Sequence, residues 1–159
     1  MENYIDLSNG GLVFDGHTLK LGMDFDQIYN LFSKHIKSKS NYRNKDGYNC
    51  MIVCFYDYPI YNLPAEVRIF FHNNISYKLY LSYDSNEIDI NSTKKEMELY
   101  KEKVDHTAEI LKENVSKQYE VGDNKTFTIK QNGFVFSSRI NKECTECSAT
   151  LEREDYDTN

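Results

Sequence analysis

The chain has 159 residues, 40% of them hydrophobic and 14% aromatic, with 28% charged and a formal net charge of −6. That length suits one complete core, the apolar share is too high for a disordered chain, and no run approaches the roughly 18 apolar residues of a membrane span. The start, Met1-Glu2-Asn3-Tyr4-Ile5-Asp6, lacks the basic and apolar regions of a signal peptide, so a soluble cytoplasmic protein is expected.

Taken in chain order, the first signal is a hairpin. Asp15-Gly16 joins Leu12-Val-Phe14 to His17-Thr-Leu-Lys-Leu21, and a two-residue loop would set Phe14 opposite His17 and Leu12 opposite Leu19. Asp24-Phe-Asp-Gln27 reads as a capping box, with Met23 placed to staple onto Ile28. Ile28, Leu31, Phe32, His35 and Ile36 then follow one helical face. Lys34, Lys37, Lys39, Arg43 and Lys45 come next and read as a cationic loop that complements the helix C-terminus.

Cys50 to Tyr56 is apolar on both parities, as in a central strand covered at least in part on both faces. Tyr56-Asp-Tyr-Pro-Ile-Tyr-Asn-Leu-Pro64 should break the strands, because two prolines fall within six residues, and present tyrosines on a stiff loop. Ile60 and Leu63 give it an anchoring alternative, in which these tyrosines close the end of the core. Val67–His72 and Ile75–Tyr83 are further strands around an Asn73-Asn74 turn.

An acidic stretch carrying Asp84, Glu87 and Asp89 leads to a second capping box, Thr93-Lys-Lys-Glu96. Met97, Tyr100, Val104, Ala108, Leu111 and Val115 form the expected buried stripe of the helix that follows. Asn132-Gly133 joins Phe127-Thr-Ile-Lys-Gln131 to Phe134-Val-Phe-Ser-Ser-Arg-Ile140, with Ile129 opposite Phe136. A last strand runs from Cys147 to Arg153, Ala149 and Leu151 facing inward.

The expected fold is α+β, a largely antiparallel sheet carrying two amphipathic helices in the order ββ-α-βββ-α-βββ, over residues 1–153 with an acidic tail at 154–159. Neither a G-x-G-x-x-G nor a P-loop is present.

Catalytic and metal chemistry find little support in the residue pattern. Cys50 and Cys54 share a strand face but stand about 13 Å apart, too far for one ion. Cys144 and Cys147 form a lone C-x-x-C without a second pair. The histidines His17, His35, His72 and His106 are scattered, and His35 reads as a satisfied core-edge residue. No metal, cofactor or catalytic set is expected.

The surface is more informative. Residues 141–159 hold six acids against two bases, among them Glu152 and Glu154 beside Tyr156. With Tyr56, Asp57, Tyr58, Tyr61, Asp84, Glu87 and Asp89 they form a candidate partner-binding set: acids attract a basic protein, and tyrosines supply contact area. The same acidity argues against nucleic acid as a partner.

The run Leu12-Val-Phe-Asp-Gly-His-Thr-Leu-Lys-Leu-Gly-Met23 before a capped helix, and Gly133-Phe-Val-Phe-Ser-Ser-Arg139 before a final strand, resemble the small immunity proteins of bacterial toxin systems. The resemblance implies a protein that is not an enzyme and that binds and occludes a cognate toxin, a basic nuclease domain being one such target. The alternatives are a small enzyme or ligand-binding domain with a pocket between sheet and helices, and an adaptor or assembly protein.

Overall fold

A computed structural model describes residues 2–155, an α+β fold with two largely antiparallel sheets and two α-helices. Three short strands, β1 (Tyr4–Asp6), β2 (Gly11–Phe14) and β3 (His17–Lys20), form a small sheet. Helix α1 (Phe25–Phe32) follows, then strands β4 (Ile36–Arg43), β5 (Asn49–Phe55), β6 (Tyr58–Ile60), β7 (Leu63–His72) and β8 (Ile75–Ser85). Helix α2 (Lys94–Val115) leads to β9 (Phe127–Gln131), β10 (Phe134–Ile140) and β11 (Glu146–Arg153). The large sheet has the order β4-β5-β7-β8-β11-β10-β9, with β6 paired to β7. The expected strand order therefore lacked β1, β4 and β6.

Both primed-turn hairpins have the register that their dipeptides dictate: Phe14 faces His17 and Leu12 faces Leu19, while Ile129 faces Phe136. Asp15 and Gly16 both have positive φ, as do Asn132 and Gly133, which gives the turn the twist that adjacent strands need. Asn73-Asn74 turns β7 into β8 in the same way.

The capping box at Asp24 forms, its carboxylate accepting from the Gln27 N–H at 2.9 Å and the Gln27 side chain accepting from the Asp24 N–H at 2.9 Å. The helix nevertheless stops at Phe32. A 3₁₀ turn over Ser33–His35 follows, and the residues expected to be a cationic loop become β4. Leu31 is consequently exposed, while Ile28, Phe32 and His35 are buried.

One face of the large sheet is lined by Met51, Val53, Phe55, Ala65, Val67, Ile69, Phe71, Leu79, Leu81, Phe136, Cys147, Ala149 and Leu151, all buried. Helix α1 covers it at one side, Phe25 meeting Phe71 at 6.3 Å and Phe32 meeting Phe55 at 5.8 Å between ring centroids. Helix α2 covers β7, β8, β10 and β11. No element of the described chain covers the other face, where Ile52 and Cys54 of β5 stay partly exposed. Strand β5 is thus second from an edge and protected on one side.

In α2, Val104, Ala108, Leu111 and Val115 are buried, but Met97, expected on that stripe, is 44% exposed and Tyr100 half-buried. The apolar periodicity continues past the point where the sheet ends beneath it.

Candidate functional site

Because β8 and β11 are antiparallel, the proposed binding residues fall at two ends of the sheet. Tyr56 and Asp57 follow β5, and Asp84, Glu87 and Asp89 end or follow β8, all at one end. Glu152 and Glu154 lie at the other, since Glu152 pairs with Lys78 while Cys147 pairs with Asp84. Six positions along β8 separate those pairs, about 20 Å. A partner covering the first end does not also have to touch the second. Tyr156 lies outside the described residues.

Several members of the set have structural work instead. The expected tyrosine loop is a hairpin: β6 pairs with β7, Pro59 opposite Pro64, and Tyr61-Asn62 makes the turn with φ of 55° and 63°. Tyr61 is buried. Its hydroxyl accepts from the Ile5 N–H at 3.2 Å and donates to Gln118 Oε1 at 2.9 Å, fastening the hairpin tip to β1 and to the segment after α2. Burial pushes its pKa well up. Tyr58 is half-buried, its ring 4.8 Å from His35 and 5.2 Å from Phe14.

Asp84 is also partly buried, accepting from Asn86 at 2.9 Å and from the Thr107 hydroxyl at 3.2 Å, so it ties the end of β8 to α2. Glu154 lies 3.9 Å from Lys130, and its N–H donates to Gly133 O at 2.8 Å.

What remains exposed is at the β8 end, although Asp89 also shapes its own turn, its carboxylate accepting from the Asn91 N–H at 2.7 Å. Tyr56 is 52% exposed and Asp57, Glu87 and Asp89 are exposed. Interleaved with the acids are residues that composition did not single out: Ile88 is exposed and Ile90 is 97% exposed. The loop delivers into α2, whose Met97 and Leu99 are also exposed. Isolated surface apolar groups are ordinary, but four large ones within twelve positions concentrate exposed apolar side chains in one stretch, Ile88 and Ile90 alternating with acids in the loop and Met97 and Leu99 pointing to different sides of α2. The alternation Glu87-Ile-Asp-Ile90 was the sequence signal for it.

His35 is the nearest approach to a catalytic pair. Its Nε2 is 3.0 Å from Asp15 Oδ2, but Nδ1 is buried without a hydrogen-bond partner. The ring stands edge-on to Phe14 and Tyr58, with no hydroxyl or thiol at Nδ1 to activate. His35 is therefore buried as expected but only half satisfied.

Larger cavities do not contain it. One of about 400 Å³ lies between residues 121–128 and Ser138-Arg139, another of about 500 Å³ beside Leu21, Phe134 and Arg153, and neither is lined by a histidine. Among the described residues no group of three metal-ligating side chains forms. Cys144 sits in a turn with φ of 57°, before β11 begins, while Cys147 is buried within it.

No helix among the described residues is long and apolar enough to cross a membrane. Comparison of the chain with protein-family models, with curated proteins and with solved structures found no match.

Proposed function

We propose that this protein is an immunity-type inhibitor, which neutralises a cognate bacterial toxin by binding it and performs no chemistry of its own. The observation that carries this reading is the β8–α2 loop, where Ile88 and an almost fully exposed Ile90 alternate with Glu87 and Asp89 beside the uncovered start of α2. Apolar anchors give a binding surface its desolvation energy, and surrounding acids speed encounter with a basic partner such as a nuclease domain. Tyr56 and Asp57 stand at the same end of the sheet and extend the surface. Asp84, Tyr58 and Tyr61 hold the scaffold that presents it.

The test is co-expression with the product of the adjacent gene, followed by affinity measurement and a growth assay. A protective complex is expected, and Ile90→Asp should weaken it by about a hundredfold, the loss typical of an anchor residue. Its melting temperature should not change, because the side chain is solvated. A neighbouring product that is harmless, or protection that survives Ile90→Asp together with Glu87→Lys and Asp89→Lys, overturns the reading.

A further inference from the structure

Strand β4 ends the large sheet, and among the described residues no other strand pairs with it beyond β5. It is eight residues long, and all but Ile36 are exposed. Over about 26 Å, one row of its backbone N–H and C=O groups is open to pairing with another backbone. Proteins blunt such edges with lysines, proline, short strands or strong bulges, and of these β4 carries the lysines, Lys37 and Lys39, whose charge turns away most added strands but not an acidic one. β4 has no proline, and its one irregularity lies at its start, between Ile36 and Ser38.

Its charge selects what could pair there. Residues 34–45 contain five cations and no acid, within a chain of net charge −6. Lys34 is 3.4 Å from Asp15, but Lys37, Arg43 and Lys45 form no ion pair among the described residues, and Lys39 rests over the Phe25 ring at 4.7 Å. Lys39 and Arg43 face the same side of the sheet, since they pair with Val53 and Asn49 on either side of Asn41 and Met51. Over the face that β4 shares with β5 lie a cavity of about 240 Å³, lined by Phe25, Lys39 and Asn41 with Asn49, Cys50 and Met51 of β5, and one of about 450 Å³, lined by Asn41, Tyr42 and Arg43 with Asn49 and Cys50.

We propose that β4 is the receiving edge for an extended acidic segment of a partner protein, which joins the large sheet as an additional strand. Backbone pairing along β4 supplies the register, and alternate acidic side chains reach Lys39 and Arg43 at the two cavities, as side-chain pockets do in other strand additions. A second copy of this chain would set the same lysines against one another, which like-charge repulsion opposes. A nucleic acid would meet the cations but leave the open backbone row unpaired, and the chain as a whole repels it. This surface does not involve the β8–α2 loop, so either proposal can fail while the other stands.

The test uses the full chain and three probes: a ten-residue peptide alternating Glu and Thr, the same peptide with Lys for Glu, and a ten-nucleotide oligothymidylate. Binding is measured by fluorescence anisotropy, and backbone protection by amide hydrogen exchange. The Glu peptide should bind and slow exchange within residues 36–43, and the Lys peptide should not bind. Lys39→Glu with Arg43→Glu should raise the Kd for the Glu peptide by about tenfold or more, the scale of two lost charge contacts, and Arg43→Glu alone, which disturbs no ring contact, should raise it in the same direction with the melting temperature unchanged. Absence of protection in β4, equal binding of the oligothymidylate, or protection that rises with protein concentration alone would each overturn the proposal.

Discussion

His35 Nε2 and Asp15 Oδ2 lie 3.0 Å apart, joining the turn after α1 to the tip of the first hairpin. The His35 hydrogen bond, with Lys34 beside it, holds the Asp15 carboxyl below its ordinary 3.8. A depressed folded value means that the contribution is present above the unfolded pKa and is lost as the pH falls through the folded one. Asp15→Asn retains a residue that tolerates the left-handed turn, so it isolates the charge. The variant should have a lower urea midpoint than the parent at pH 6, and the two midpoints should converge as the pH drops below 3.8. A gap unchanged down to pH 2.5 would show that the carboxylate charge contributes nothing.

Tyr61→Phe tests the clasp at the hairpin tip. It leaves the ring in place but strips the Ile5 N–H of its acceptor and Gln118 of a donor. An orphaned buried donor costs about 1–3 kcal/mol, so the urea midpoint should fall by a corresponding amount. Tyr56→Phe, at an exposed position, should leave it where it was.

Gly11→Ala should be more damaging than its size suggests. A Cβ there would stand 2.3 Å from the carbonyl oxygen of Leu19, a backbone atom of the paired strand that cannot swing aside. Overpacking of this kind costs about 1–3 kcal/mol or more. Gly47→Ala meets no neighbour within 4 Å and carries only the strain of its φ of +82°, so its loss should be about 1 kcal/mol. Thermal melts of the two variants give the comparison.

The thiols should divide by accessibility. Burial pushes the Cys147 pKa up to about 12, leaving almost no thiolate at pH 8, whereas Cys54 and Cys144 are partly exposed. Labelling of the native protein with a thiol reagent should reach those two first and Cys147 only on unfolding. Early modification of Cys147, mapped by mass spectrometry, would indicate that β11 detaches readily.

The fold was legible where short-range chemistry specifies the backbone. Asp15-Gly16 and Asn132-Gly133 announce turns with two positive φ values, and the strands beside them had no other register that buried their apolar residues together. Tyr61-Asn62 makes the same kind of turn without a glycine and between two prolines, so nothing local distinguished it from a loop. β4 was invisible for a different reason: Lys-Ser-Lys-Ser-Asn-Tyr-Arg has no apolar alternation, because an edge strand with both sides wet has little to bury. Met97 shows a third limit. Helical periodicity identifies the face of α2 but not where the sheet beneath it stops.

The proposed binding surface was legible in part. The acidic residues were visible, but their grouping depended on strand direction, which placed Glu152 and Glu154 away from Glu87 and Asp89. Burial also withdrew Tyr61 from the set, which no count of tyrosines could reveal.

The position of β11 has a consequence for how the chain is made. The final described strand is not at an edge; it lies between β8 and β10. During synthesis, residues 75–85 and 134–140 therefore wait with open flanks until residues 146–153 have left the ribosome and can enter between them. Until then the nascent chain carries two additional strand-hungry edges, both exposed to the wrong neighbour. A premature stop between residues 140 and 146 would leave that state permanent, and the product should accumulate as aggregate rather than as a smaller folded protein.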